Sequence, residues 1–146
     1  MLYHLYLLNL YAISNTKIKN VNHLKNLEPL NCSFSSDIDN DGIQFLYWIV
    51  FNANNKAKIS KIDHMTKLKV LFCSCYCGID DLSIKYLNLV VLQCSDNPKI
   101  KNIGHMSKLR NLYCSGKSSI SDQDIQNLKL TCLWSYGNSN VTIKLK

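Results

Sequence analysis

The chain has 146 residues, 47% of them apolar, and a formal net charge of +7. This length bounds it to one domain with enough apolar material for a core. Arg110 is the only arginine among 17 basic residues, so the charge does not supply forked recognition of phosphate or guanine, and no run of 18 apolar residues marks a membrane span.

Read from the start, "MLYHLYLLNLYAIS" is apolar enough to imitate a signal-peptide core but lacks a basic leader. From Lys17 the chain reads KIKNVNHLKNLEPLNCS. At Lys58 the wording returns as KISKIDHMTKLKVLFCS, and at Lys99 as KIKNIGHMSKLRNLYCS. The step is 41 residues each time. Ile18, Ile59, Ile100 and Val141 keep it, as do His23, His64 and His105, and Cys32, Cys73 and Cys114. About half a period later come LLNLYAIS, WIVFNAN, LVVLQCS and LTCLWSY, a looser version of the same L-x-x-L-x-C spacing. The long period is therefore two units of 20 and 21 residues, the mark of a repeat architecture. Within a single domain spanning 1–146, this predicts a partial repeat at 1–6. Repeats follow at about 7–26, 27–47, 48–67, 68–88, 89–108 and 109–129, with an incomplete terminal repeat at 130–146.

Each unit predicts one short strand. Inward-facing pairs are Leu30/Cys32, Phe51/Ala53, Leu71/Cys73, Leu92/Cys94 and Leu112/Cys114, because alternate residues of a strand face opposite ways. The second member of each pair is small, as a turning chain requires, and cysteine serves there as a small hydrophobe. Stacked units pair their strands in parallel, and seven of them make a sheet on the order of 30 Å long. At the start, LYHL at residues 2–5 matches IQFL, IKYL and IQNL further on, so the chain is expected to begin inside a repeat without a polar cap. At the far end the alternation in VTIKLK predicts a terminal strand.

Units with this spacing resemble leucine-rich repeats, and LVVLQCSDNPKI (Leu89, Leu92, Cys94, Asn97, Ile100) is the clearest instance. The resemblance runs from about Leu2 to Ile143. The unit continuing I-x-x-(I/V)-x-H-(M/L) is similar to internalin-like repeats, which implies a 3₁₀ or extended back. The unit continuing as ISDQDIQNL or IDDLSIKYL is similar to cysteine-containing and ribonuclease-inhibitor-like repeats, which implies a short helix on the back. Ser121 or Asp122, and Asp80 or Asp81, would then accept from the first free helix amides. The alternation, in a Lys- and Asn-rich chain, resembles the repeat proteins of giant amoeba-infecting viruses. The fold implied is a curved α/β leucine-rich repeat solenoid of about seven parallel strands. If the chain is viral, its place would be the host cytoplasm.

The chemistry-bearing residues point away from catalysis. His23, His64 and His105 would stand about 10 Å apart in the stack, too far to share a zinc ion that needs ligands at about 2 Å. In CSCYC, Cys73 faces inward, and Cys75 and Cys77 have no second C-x-x-C to complete a site. Seven cysteines, an odd count with four at one repeat position, suit reduced thiols in the cytoplasm. Cys132 sits at an outward position. Asp39/Asp41 and Asp80/Asp81 fall where helices would start, and no nucleophile elbow, Walker loop or dinucleotide fingerprint is present. The expectation is no enzyme, no metal and no cofactor.

The leucine-rich repeat resemblance implies binding on the open strand face. Its central outward column is Tyr11, Asn31, Asn52, Phe72, Gln93, Tyr113 and Trp134. Amides and aromatics without charge suit a protein partner. Lys17, Lys58 and Lys99, extended by Lys101, Lys108 and Arg110, form a basic edge that offers an alternative, nucleic-acid or acidic-surface binding. Two further readings follow from the uncapped start: a truncated repeat fragment without independent function, and self-association end to end.

Overall fold

The computed structural model of the protein describes residues 10–25, 30–34 and 36–145. The readings placed on residues 2–5, on Asn9 and on Pro29 lie outside them. Seven short strands succeed one another: β1 (Leu10–Tyr11), β2 (Leu30–Asn31), β3 (Val50–Asn52), β4 (Val70–Phe72), β5 (Val91–Gln93), β6 (Asn111–Tyr113) and β7 (Cys132–Trp134). They form one sheet in sequential order, every pair parallel. Three one-turn helices, α1 (Asn40–Ile43), α2 (Asp81–Ile84) and α3 (Asp122–Ile125), recur on the back of alternate units. The result is a curved α/β solenoid.

The core is the space between strand wall and back wall. Leu30, Phe51, Leu71, Leu92 and Leu112 are fully buried, as are Cys32, Ala53, Cys73, Cys94 and Cys114. Ile38, Ile79 and Ile120 form the next layer, and Val21, Ile43, Ile62, Ile84, Ile103 and Ile125 line the back. Each full burial of such a side chain contributes about 1.5–3 kcal/mol, and the surface is removed from water only because a neighbouring unit covers it.

The two kinds of back differ because their polar residues differ. Asp39, Asp80 and Ser121 stand at the N-caps. Asp80 Oδ1 accepts from Ser83 N at 2.9 Å, and Ser83 Oγ accepts in return from Asp80 N at 3.2 Å. One turn of helix has no stability by itself; burial of Ile43, Ile84 and Ile125 holds these. The other units lack such caps. They keep only the turn that also closes the helical backs, with Leu24 N bonded to Val21 O at 2.9 Å, Met65 N to Ile62 O at 2.9 Å and Met106 N to Ile103 O at 3.0 Å.

The expected terminal strand is corrected: residues 141–145 form none. Thr142 N and Ile143 N donate to Asp122 Oδ1 at 2.9 and 3.0 Å. Lys101 N and Asn102 N do the same to Asp81 Oδ1 at 2.8 and 3.0 Å, and Ser60 N and Lys61 N to Asn40 Oδ1, both at 2.9 Å. The segment is thus one more back turn clipped to the unit before it. Of its apolar residues only Val141 packs against the core, while Ile143 and Leu145 are exposed.

Candidate functional site

The open strand face is built by strand register. Tyr11 pairs with Asn31, Asn31 with Asn52, Asn52 with Phe72, Phe72 with Gln93, Gln93 with Tyr113 and Tyr113 with Trp134. All seven residues of the expected column are therefore brought into one line across the sheet. Tyr11 and Trp134 are 68% and 61% exposed, and the five between are half-buried. A second outward column runs beside it: Val50, Val70, Val91, Asn111 and Cys132. Neither column contains a charged residue.

The amides of this face are oriented from behind. Asn31 Oδ1 accepts from Ser33 N at 3.2 Å and Ser33 Oγ at 2.8 Å, and Asn52 Oδ1 accepts from Asn54 N at 3.1 Å. Their carbonyl oxygens are occupied, which leaves amino groups as the free ends. At the other end of the sheet the Cys132 thiol donates to Tyr113 Oη at 3.9 Å. That contact raises the pKa of the Tyr113 phenol.

The remaining candidates are placed as structural parts. His23 and His105 are exposed, and His64 is half-buried with its ring 6.1 Å from that of Tyr47, edge-on. Among the described residues no group of three His, Cys, Asp or Glu converges. Cys77 takes the buried place that Ser36 and Ser118 take one period away. Burial pushes the thiol of Cys32 up to about 12 and that of Cys114 to about 11, so these are packing groups and not nucleophiles. Asp81, read as one of a carboxylate pair, is committed to two backbone amides of the following unit.

The basic edge does not form as one surface. Lys108 and Arg110 stand just before β6, whereas Lys58 and Lys99 follow β3 and β5 by six residues. Lys58 pairs with Asp37 at 3.1 Å, and Lys99 Nζ donates to Cys77 O at 3.1 Å. Lys56 and Lys58 line an open cavity of about 470 Å³ together with Asp37 and Phe34, where the charges are already answered from within.

Two ladders were missed by the sequence reading. Asn97 Nδ2 donates to Cys73 O at 2.8 Å and Ile79 O at 3.1 Å; Asn138 Nδ2 donates to Cys114 O and Ile120 O, both at 3.0 Å. The 41-residue recurrence of Asn15, Asn97 and Asn138 was the available signal, broken at Lys56. Lys56 is 2% exposed, and its ammonium donates to Ser36 O in place of the amide's two bonds. The second ladder is the Asn40, Asp81 and Asp122 clip described above.

Fold and face together define a parallel-strand repeat solenoid with 20 or 21 residues to the turn. Among the described residues no helix is long and apolar enough to cross a membrane. No protein-family model, curated protein or solved structure matches the chain.

Proposed function

We propose that this chain is a non-enzymatic interaction module of the leucine-rich repeat type that binds a partner protein across its strand face. One observation carries the reading: seven uncharged aromatic and amide side chains lie in unbroken register over the full width of the sheet. Aromatic anchors at such positions commonly dominate binding energy, and a rigid sheet presents them with little entropy left to lose. The wording of the repeats supports a kinship with the proteins of giant amoeba-infecting viruses, and with it a role in the host cytoplasm.

The nucleic-acid alternative draws less support, because Lys58 and Lys99 are engaged within the fold. The test is to replace Tyr113 and Trp134 together by Ala and to measure capture of cellular proteins by the folded variant. Loss of most captured material is the expected result; undiminished capture contradicts the reading. Binding to DNA or RNA with a steep salt dependence would favour the alternative instead.

A further inference from the structure

We infer that the segment this face receives is a proline-rich, acidic stretch of the partner in the polyproline II conformation. The inference rests on the protein-binding reading above and adds the chemistry of the partner. Phe72 and Tyr113 occupy the same position on β4 and β6, one 41-residue period apart. Two strand spacings separate them, about 9.6 Å. A polyproline II helix makes one turn in three residues of about 3.1 Å each, or about 9.3 Å. Two residues of such a ligand three positions apart thus meet the two aromatics. Other backbones fall out of step. An extended strand repeats its side chains at about 6.7 Å, and a helix at about 5.4 Å per turn.

The same step carries a charge. Lys69 stands immediately before β4 and Arg110 immediately before β6. Neither is in an ion pair among the described residues, where the one salt bridge is Lys58 with Asp37; the Arg110 guanidinium donates to Ser107 O and Leu109 O at 3.1 and 2.9 Å and has further N–H groups beyond those two bonds. The units of β4 and β6 therefore each offer an aromatic on the face and a cation on the rim before it. The complement is a ligand with an apolar ring and a carboxylate in each three-residue turn. A polyproline II backbone makes no internal hydrogen bonds, so its carbonyls need donors, and the Gln93 amide and Trp134 indole flank the aromatics to supply them. Val70 and Val91, in the column beside the rings, extend the apolar surface. Because the ligand is stiff before it binds, little ordering entropy opposes the contact.

The experiment titrates the chain into a fluorescein-labelled peptide of four Pro-Pro-Glu triplets and follows anisotropy. A Gly-Gly-Glu peptide of equal length and charge and a Pro-Pro-Lys peptide run beside it. The expected result is saturable binding of Pro-Pro-Glu alone, weakened about tenfold by Tyr113→Ala or Phe72→Leu and by Lys69→Glu, with unchanged thermal melts. Equal binding of the Gly-Gly-Glu peptide overturns the inference, since charge would then suffice. So does undiminished binding by folded Tyr113→Ala. If no peptide binds but the Tyr113, Trp134 double variant still loses protein capture, this inference falls and the protein-binding reading stands.

Discussion

A left-handed residue follows every strand. Ser14, Phe34, Asn55, Cys75, Asp96, Gly116 and Gly137 all have φ between 53° and 73°, and this kink turns the chain from the sheet toward the back. Non-glycine residues pay roughly 1–2 kcal/mol for that conformation, so Cys75→Gly should raise the denaturation midpoint by an amount equivalent to about 1 kcal/mol. Gly116→Ala should lower it, because the added Cβ would stand 2.2 Å from Asp96 Oδ1. Urea melts of the two variants check both signs. Lys56 is the other residue-scale anomaly. Burial depresses its pKa, so its charge opposes folding at neutral pH. Lys56→Asn restores the amide present one and two periods on, with Cys32 O and Ile38 O as the equivalent acceptors. Its midpoint should rise, by roughly 1 kcal/mol; a fall would show that the ammonium is needed where it stands. The recurrence of the kink after every strand was only partly legible in advance. Gly116 and Gly137, and more weakly Asn55 and Asp96, carry a signature of positive φ, but Ser14, Phe34 and Cys75 carry none.

At the scale of elements, what was legible is what periodicity encodes. L-x-x-L-x-C fixed which strand residues face inward, since a strand has only two sides. It therefore fixed the outward column from Tyr11 to Trp134 as well. The capped backs were legible because Asp80 and Ser121 precede apolar residues at helical spacing. The clips were not. Asp81 and Asp122 look like first-turn acids, but their carboxylates reach amides 20 and 21 residues on, in the next unit, and sequence spacing says nothing of which neighbour an exposed carboxylate meets. The same holds for Asn97, whose amide joins two carbonyls of the preceding unit. Asn97→Ala leaves both buried without that donor and should destabilise by about 1–3 kcal/mol. Calorimetry on Asn97→Ala beside the exposed Asn127→Ala as control checks it; equal melting temperatures would count against the ladder.

Over the whole molecule, stability lives in the contacts between units. Each unit is too thin to enclose its own leucines, and the sheet, the αL kinks, the clips and the buried amides all act across the same 20- or 21-residue step. That shared direction is why one column of side chains can run unbroken across seven strands, and why the face is both rigid and extensible in one dimension only. The basic edge is divided for the same reason, with Lys17, Lys58 and Lys99 after their strands and Lys108 and Arg110 before β6. A unit is a loop, so lysines before and after a strand end on opposite rims, a distinction that the linear wording KIKNIGHMSKLR conceals. The end-to-end association raised by the sequence would add units along this axis and leave the face itself unchanged. The most direct measurement places genetically encoded spin labels in pairs, one at Trp134 and the other in turn at Phe72, Asn52, Asn31 and Tyr11. Stacked parallel units predict mean separations growing in near-equal steps of about 4.8 Å, from about 14 Å to about 29 Å. Separations that fail to grow with strand number would contradict the stack and everything built on it.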